Sequence, residues 1–374
     1  MMGLGLYVHI PFCARKCLYC DFNSYQSKEY LIDGYIGAVL KEAYGYRNAD
    51  IDTVFMGGGT PTLMSAGQIS RLLSGLADTF DLKKGIEFTA EANPGTLDEE
   101  KLSMLLHSGV NRLSIGAQSM DDRLLKKLGR IHSSGVFTET FEEARHAGFD
   151  NINVDLMFAL PDQTYGDWVD TVNKIVVQKP EHVSCYGLTI EDNTPYRKMY
   201  ERGELRLPDE DTEREMYWNA VSILESNGYA HYEISNFAKK GRECRHNLIY
   251  WRDDSYIGLG AGAHSYYKGY RYANEQVPER YIDAVCKGDS PVVQREYIDR
   301  RNEMEEYFFM GLRLMKGIGI DDFEHRFGES PYNLYGKSMD RLLKLGLVNI
   351  ADNRMYLTEK GVDLSNQVFM EFMD

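Results

Sequence analysis

The sequence lacks any apolar run long enough to cross a bilayer, and its first residues, MMGLGLYVHIPFC, lack a basic stretch followed by a long apolar core. We therefore expect neither a spanning helix nor a secretory signal, and we predict a cytoplasmic location. Basic residues are fewer than acidic ones: the chain has 42 Lys and Arg residues and 57 Asp and Glu residues, which gives a formal net charge of -15. So acidic a surface repels a phosphate backbone, and we expect no nucleic acid among the partners.

Cysteine is also scarce, with six residues in a chain of 374. Without a secretory signal these cysteines are not expected to form disulfides. Cys13, Cys17 and Cys20 lie close together, whereas the other three are scattered and are interpreted as small buried apolar residues. The length predicts two or three domains, or one large α/β barrel with an appendage.

Short apolar strands alternate with helical segments through the first half of the chain. This alternation predicts a parallel sheet, either a partial barrel or an open doubly wound sheet. Polar or glycine residues lie at or just beyond each strand end, and in a barrel these ends converge on one face, which favours the barrel. The predicted strands are 5–10, 53–56, 86–92, 110–117, 152–156 and 182–188.

The alternation stops after about residue 188, and the remaining chain divides by composition. We predict the barrel over residues 1–230, an aromatic and glycine-rich connecting region over 231–300, and a helical C-terminal domain with a winged hairpin over 301–374. The winged stretch is interpreted as a packing module rather than a DNA-binding one, because the chain is acidic. The predicted fold class is thus α/β, a partial (β/α)6 TIM-like barrel with a smaller winged-helix-like C-terminal α/β domain.

The clustered cysteines have the spacing C-x3-C-x2-C, in Cys13-Ala-Arg-Lys-Cys17-Leu-Tyr-Cys20. Three thiolates on one short loop can hold three corners of a four-iron cluster and leave the fourth iron open to a ligand. A zinc site with a fourth ligand from elsewhere, or three unrelated thiols, are the alternatives. Arg15 and Lys16, between the cysteines, either offset the negative charge of a cluster or are solvated loop residues, and we interpret them as the second.

This spacing, directly after the first strand of a βα array, resembles the radical S-adenosylmethionine proteins. The resemblance implies a [4Fe-4S] cluster whose open iron binds the amino and carboxylate groups of S-adenosyl-L-methionine, and reductive cleavage of that cofactor to methionine and a 5′-deoxyadenosyl radical. It also implies that the loop Gly57-Gly58-Gly59-Thr60-Pro61 grips the cofactor's ammonium group. The cofactor-binding residues so implied are Tyr7, Tyr19, Gly58, Gly59, Thr60, Glu91, Gln118, Arg130 and Asp155.

Each of these residues also has a structural interpretation, such as a turn, a helix cap or a surface ion pair. One position departs from the family pattern, since Ala159 in FALP stands where the related Y-G-L-P string has glycine. We interpret this as a tolerated exchange of one small residue for another.

The strings LYVHIPFCARKCLYCDF, GGGTPT, EANPGTL, RLSIGAQS, LKKLGRIH and YEISNFA are similar to the oxygen-independent coproporphyrinogen III oxidase group over nearly the whole chain. Two features favour its HemW branch, described as heme chaperones. Phe22 stands where the oxidases have a further cysteine, and HNLIYW over residues 246–251 matches the branch motif H-N-x-x-Y-W. The first cysteine also lies nearer the start of the sequence than in the oxidases.

The resemblance implies heme as the bound cargo and heme-accepting, respiratory proteins as partners. The alternative function is oxidative decarboxylation of coproporphyrinogen III in porphyrin biosynthesis. Peripheral membrane contact and a homodimer are both left open by the sequence.

His246 is the candidate heme ligand, because neutral imidazole is a common axial ligand of heme iron. Tyr250 and Trp251 would then pack on the macrocycle. In the alternative interpretation His246 satisfies a turn and the aromatic residues belong to the core. His132 and His264 compete as ligands.

Overall fold

Six parallel strands form the centre of the protein in the computed structural model, which describes residues 3–373. Each strand pairs in parallel with its neighbour in the chain, as the alternating sequence pattern predicts. The six strands are β1 (Gly5–Ile10), β2 (Asp50–Gly58), β3 (Asp81–Ala92), β4 (Arg112–Gln118), β5 (Ile152–Phe158) and β6 (His182–Gly187).

Helices connect these strands and cover one face of the sheet. They are α1 (Ile32–Ala43), α2 (Ala66–Thr79), α3 (Glu99–His107), α4 (Asp122–Leu128), α5 (Ser134–Ala147) and α6 (Tyr165–Gln178). Of the six, α4 has no counterpart in the sequence-based prediction, because its three buried leucines, Leu124, Leu125 and Leu128, are too few to establish a helical period. The predicted ends are confirmed at Asp98, which caps α3, and at Gly148, which ends α5 with φ 112°.

The alternation of side chains along β1 separates the apolar core from a polar interior. Leu6, Val8 and Ile10 are fully buried in the main hydrophobic core. Tyr7 and His9 occupy the alternate positions and line a cavity instead. The strand therefore positions site residues with one face while the other contributes to stability.

The segment that follows the barrel strands extends the same sheet at both edges, to twelve strands in all. Two antiparallel strands lie beyond β6, whereas β9 pairs in parallel with β1 and leads into three antiparallel strands. The predicted connecting region is thus integral to the sheet. Its elements, with the preceding helices, are α7 (Pro195–Glu201), α8 (Glu210–Ser226), β7 (Ala230–Glu233), β8 (Asn236–Ala238), α9 (Arg245–Trp251), β9 (Tyr256–Leu259), β10 (His264–Tyr267), β11 (Tyr270–Asn274), α10 (Pro278–Lys287) and β12 (Val292–Tyr297).

Helix α9 carries the HNLIYW motif and packs beneath the barrel strands. The buried carboxylate of Glu87 on β3 accepts hydrogen bonds from the backbone N–H groups of Arg245 and His246, both at 3.0 Å. A carboxylate at a helix N-terminus pairs with the unsatisfied N–H groups and with the positive end of the helix dipole. This interaction fixes the motif against β1 and β2, where Gly5 leaves room for the His246 ring.

The C-terminal part forms a smaller unit around its own aromatic core, in which Phe308 stacks on Phe372 at 4.1 Å. A three-stranded antiparallel sheet contains the predicted winged hairpin. Its elements are α11 (Arg300–Gly311), β13 (Ile318–Gly319), α12 (Ile320–Phe327), α13 (Pro331–Lys344), β14 (Val348–Ala351), β15 (Arg354–Leu357), α14 (Glu359–Asp363) and α15 (Ser365–Met370).

Within residues 3–373, no helix is both long and apolar enough to span a bilayer. Met1, Met2 and Asp374, the outer ends of the first and last predicted domains, lie outside the described residues.

Two glycines of the C-terminal unit should respond oppositely to alanine. Gly328 ends α12 with φ 68°, and Gly336 lies inside α13; an added methyl group meets no atom within 4 Å at either position. Gly328→Ala should destabilise by about 1 kcal/mol, because an L-residue is strained at positive φ. Gly336→Ala should stabilise by about 1 kcal/mol through helix propensity. Denaturant unfolding measures both, and equal signs would contradict the assigned helix ends.

Candidate cofactor site

The carboxyl ends of the parallel strands converge on a cavity of about 380 Å³. The three clustered cysteines enter it from the loop after β1, and the ends of β2 to β6 supply the remaining wall. The structure thus brings together predicted site residues up to 142 positions apart in the chain, from Cys13 to Asp155. The predicted site residues that line it are Cys13, Cys17, Tyr19, Cys20, Gly58, Gly59, Glu91, Gln118, Arg130 and Asp155.

The cysteine loop is closed by its own backbone and by one lysine. Cys13 N–H donates to the Tyr25 carbonyl at 2.9 Å, and Tyr25 N–H donates to the Pro11 carbonyl at 2.7 Å. The Lys16 ammonium group donates to the carbonyls of Phe22 and Ser24 at 2.9 and 3.1 Å. The prediction that Lys16 is merely solvated was therefore wrong, since it braces the loop that carries the thiols.

Two of the cysteine sulfurs accept hydrogen bonds from side chains that follow β2 and α4. Thr60 Oγ1 donates to Cys13 Sγ at 3.6 Å, and the Arg130 guanidinium donates to Cys17 Sγ at 3.7 Å. Burial raises the pKa of the Cys13 and Cys20 thiols, so an apolar setting alone would keep these two protonated. Hydrogen bonds and metal coordination both favour the thiolate that a cluster requires.

The donor set fits an iron–sulfur cluster. All three cysteines are unpaired and partly exposed to the cavity. Among residues 3–373, no three His, Cys, Asp or Glu side chains converge as ligands of one metal ion. A four-iron cluster needs no such convergence, because each thiolate binds a different iron.

Two carboxylates face the same cavity from β3 and β5, the strands on either side of β4. Glu91 Oε2 accepts from the Gly58 N–H at 3.0 Å, and Asp155 accepts from Ser114 Oγ at 3.0 Å and from Asn153 Nδ2 at 2.8 Å. Burial, with the nearby charge of Asp155, raises the pKa of Glu91 to about 7, and burial raises the pKa of Asp155. Both groups are placed to accept hydrogen bonds from ligand hydroxyls.

The glycine loop after β2 packs closely on the chain that leads into the cysteine loop. A Cβ at Gly59 would lie 2.7 Å from the carbonyl oxygens of Ile10 and Phe12, and Gly58 has φ 104°. The glycines are therefore needed for backbone packing as well as for access to a ligand. Thr60 lies behind the cavity wall and reaches Cys13 through its hydroxyl.

Two strand ends hold non-glycine residues in the left-handed region. Gln118 ends β4 with φ 64°, and Ala159 follows β5 with φ 56°. This backbone conformation costs an L-residue about 1 kcal/mol or more, a cost that glycine at either position would avoid.

The sequence-based prediction missed Asn93, which connects the two residues that reach the sulfurs. Its amide nitrogen donates to Thr60 Oγ1 at 2.7 Å, and its oxygen accepts from Arg130 at 2.7 Å. Arg130 also donates to the Gly116 carbonyl at 2.6 Å. The available signal was a polar amide just past the end of the third strand, in EANPGTL. Ser114, Met157 and Tyr186 line the cavity as well.

A second cavity of about 590 Å³ adjoins the first and shares part of its wall. Tyr7 lies here rather than in the first cavity, and its hydroxyl is 2.8 Å from His9 Nδ1. His9 Nε2 is in turn 2.8 Å from the Asn23 carbonyl oxygen. The shared residues are Lys16, Asp21, Phe22, Ser24, Gly58 and Glu91.

His246, the candidate heme ligand, lies away from both cavities and is 1% exposed. Its Nδ1 is 2.8 Å from Thr53 Oγ1, and its Nε2 is 2.9 Å from the Tyr250 hydroxyl. Burial lowers the pKa of His246 to about 3, so the ring is neutral at pH 7. Coordination of heme iron by His246 stays a prediction, and it requires one of these hydrogen bonds to break.

The other aromatic and histidine candidates occupy distinct places. Tyr250 lines the second cavity, and Trp251 lies under the guanidinium group of Arg313 at 4.6 Å. His132 is buried, 3.4 Å from the Ala117 carbonyl oxygen. His264 is exposed on the wall of the second cavity and makes no side-chain hydrogen bond to residues 3–373.

The raised pKa of Glu91 predicts a pH dependence of stability in the cofactor-free protein. The folded state holds this proton up to about pH 7, whereas the unfolded chain releases it near pH 4.5. The contribution of Glu91 to stability is thus present below pH 4.5 and is lost as the pH rises towards 7. Glu91→Gln should remove about 1 to 3 kcal/mol of this decline.

Denaturant unfolding between pH 5 and 7.5 measures this effect. Glu99→Gln, at the exposed first turn of α3, is the matched control and should leave the wild-type decline intact. An unchanged slope in Glu91→Gln would contradict the buried, proton-holding state of this carboxyl group.

Comparisons with known proteins agree with this geometry. The family model of the radical SAM superfamily matches residues 7–175, and that of the HemN C-terminal domain matches residues 298–364. Among solved structures, coproporphyrinogen III oxidase (HemN) from Escherichia coli, a radical SAM enzyme, superposes with a TM-score of 0.87 over 99% of this chain and 90% of that chain. At 22% identity this likeness shows the fold alone.

Curated relatives match along almost their whole length. The chain is 40% identical to the heme chaperone HemW of Lactococcus lactis, over 98% of this chain and 96% of that protein. It is 38% identical to the heme chaperone HemW of Bacillus subtilis over 98% of each, and 36% identical to that of Escherichia coli over 99% of this chain and 98% of that protein. The chain therefore belongs to the heme chaperone HemW family, within the radical SAM superfamily.

Proposed function

We propose that this protein binds heme and transfers it to heme-accepting proteins of the respiratory apparatus. In this proposal Cys13, Cys17 and Cys20 hold a [4Fe-4S] cluster, and S-adenosyl-L-methionine fills the adjoining cavity. The observation that carries the proposal is the full-length similarity to proteins named heme chaperone HemW, together with a cysteine loop that opens into a strand-end cavity.

The protein's own residues supply the setting for these groups. Thr60 and Arg130 stabilise negative charge on the Cys13 and Cys17 sulfurs, which shifts the potential of a bound cluster upward. When bound, the cluster supplies an electron at low potential to S-adenosyl-L-methionine. Glu91 and Asp155 would accept hydrogen bonds from the ribose hydroxyls of the bound cofactor, whereas Arg130, Gln118 and the glycine loop would orient its methionine end.

Phe22 supports the chaperone function over the oxidase function. Its side chain is 64% exposed and lines both cavities, two positions beyond Cys20. The resemblance places a further cysteine there in the true oxidases. At this point the present chain offers an apolar contact surface instead of a reactive thiol.

The proposed acceptors indicate where in the cell heme transfer would take place. The acidic chain would hold heme in the cytoplasm and contact the membrane surface peripherally when it meets a respiratory acceptor. A homodimer would place two such sites in one particle, and light scattering of the loaded protein measures its mass.

Cluster loading tests the ligand assignment directly. After anaerobic reconstitution, the wild-type protein should carry about four irons per chain, and Cys17→Ala should lose the four-iron signal because three thiolates are needed to hold the cluster. Cys286→Ala is the matched control, because Cys286 is exposed on α10 and lines neither cavity. Iron analysis and absorbance measure loading, and full loading of Cys17→Ala would overturn the assignment.

Heme binding and turnover distinguish the two functions. The reconstituted protein should bind added heme, detected by its absorbance, and should pass it to an acceptor apoprotein of respiratory type. It should form no substantial protoporphyrinogen from coproporphyrinogen III with S-adenosyl-L-methionine and a reductant present. Substantial protoporphyrinogen formation would establish the oxidase function instead.

A further inference from the structure

The second cavity offers a place for the heme that the proposed function requires. Its volume of about 590 Å³ lies within the range of cavities that enclose small-molecule ligands. Aromatic side chains supply much of its wall and suit the flat, apolar face of a tetrapyrrole. The aromatic lining residues are Tyr7, Phe22, Tyr25, Tyr250 and Tyr256.

The hydrogen bonds of the histidines restrict the choice of an iron ligand. Both ring nitrogens engage other protein groups in His9, His182 and His246, and one ring nitrogen does so in His107, His132 and His231. None of His107, His132 and His231 lines the second cavity. Of the other three of the nine histidines, His146 is exposed on α5, and His264 and His325 each line a cavity. A ligand must present a free ring nitrogen to the iron, and His264 and His325 both do so within the described chain.

The backbone of His264 is held in the sheet, while its ring makes no hydrogen bond to residues 3–373. It begins β10, where it pairs with Ala273 on β11, and this register fixes its backbone at the cavity wall. His9, the other histidine of this cavity, is enclosed between Tyr7 and Asn23. Between these two histidines only His264 can approach an iron without the loss of an existing hydrogen bond.

The competing cavity is larger, about 770 Å³, and contains His325 with Lys268 and Arg300. It lies against the C-terminal unit, where Arg326 is paired with Asp253 and Glu303. It shares no lining residue with the cofactor cavity, whereas the cavity of His264 shares six. A heme bound beside His264 would thus lie next to the cluster loop and touch Phe22.

The charged residues that line the second cavity favour a heme whose propionate groups remain in water. Lys16 is the cation among its lining residues other than histidine, and both nearby carbonyls, of Phe22 and Ser24, already accept its hydrogen bonds. Asp21 and Glu91 are the acidic lining residues. Propionate groups are therefore best placed at the open mouth, with the iron and the apolar edge inside.

We propose that heme binds in the cavity between the cysteine loop and β10, with the His264 imidazole as an axial ligand of its iron. This site rests on the proposed heme-binding function. His246 is not part of this site, because its ring lines neither cavity and both of its nitrogens are engaged by Thr53 and Tyr250.

The test uses the full-length, cluster-loaded protein titrated with ferric heme. Wild type should show the absorbance and resonance Raman signature of histidine-ligated heme. His264→Ala should lose that signature and bind heme about tenfold more weakly or worse, equivalent to about 1.4 kcal/mol. Added imidazole should restore the signature in His264→Ala, which a merely structural role of His264 would not allow.

Two variants serve as controls for the site. His325→Ala, in the competing cavity, and His246→Gln, on α9, should keep the histidine signature. Iron content from the cluster should stay unchanged in His264→Ala, because the side chain is exposed and outside the cofactor cavity.

The possible results distinguish failure of the proposed heme site from failure of the proposed heme-binding function. Loss of the signature in His325→Ala or His246→Gln, with His264→Ala unaffected, would overturn the proposed site and leave heme binding intact. Absence of heme binding by the wild-type protein would overturn the proposed function together with the site.

Discussion

The amide group of Asn93 holds together the side chains that contact the cysteine sulfurs. It donates to Thr60 and accepts from Arg130, which in turn donate to Cys13 and Cys17. The three donors come from beyond the ends of β2 and β3 and from the turn after α4, so the network exists only when the parallel strands are in register. The placement of the cysteine loop against the barrel depends on this network. A partly desolvated network of this kind is also stronger than isolated surface hydrogen bonds.

A buried carboxylate organises the opposite end of the barrel. Glu87 binds the N-terminus of α9 and thereby brings His246 under β1 and β2, with Tyr250 extending to the second cavity. The HNLIYW motif is thus a structural connection between the base of the barrel and a cavity wall. This arrangement accounts for the close approach at Gly5, where a Cβ would lie 3.1 Å from the His246 ring.

Much of the fold and of the cofactor site was predictable because both depend on local signals. Apolar runs followed by glycine or acidic residues predict strands whose ends converge, and Cys13, Cys17 and Cys20 are close in sequence as well as in space. Asn93 was missed because its role lies in two contacts with distant residues. Strands β7 to β12 were missed because short, half-buried strands carry weak periodicity. The pairings that attach them to the barrel, β9 with β1 and β8 with β6, join distant parts of the chain.

The sequence by itself determined the class of chemistry, since the spacing of the thiols and the order of strands and helices are properties of the chain. Only the tertiary structure decided which histidine has free ring nitrogens. His246 stands in the more distinctive motif, yet its ring nitrogens are engaged by Thr53 and Tyr250, whereas the ring of His264, at a cavity wall, makes no hydrogen bond to residues 3–373. The physical reason is that the availability of a ring nitrogen depends on burial and hydrogen-bond partners, and these come from residues far apart in the sequence.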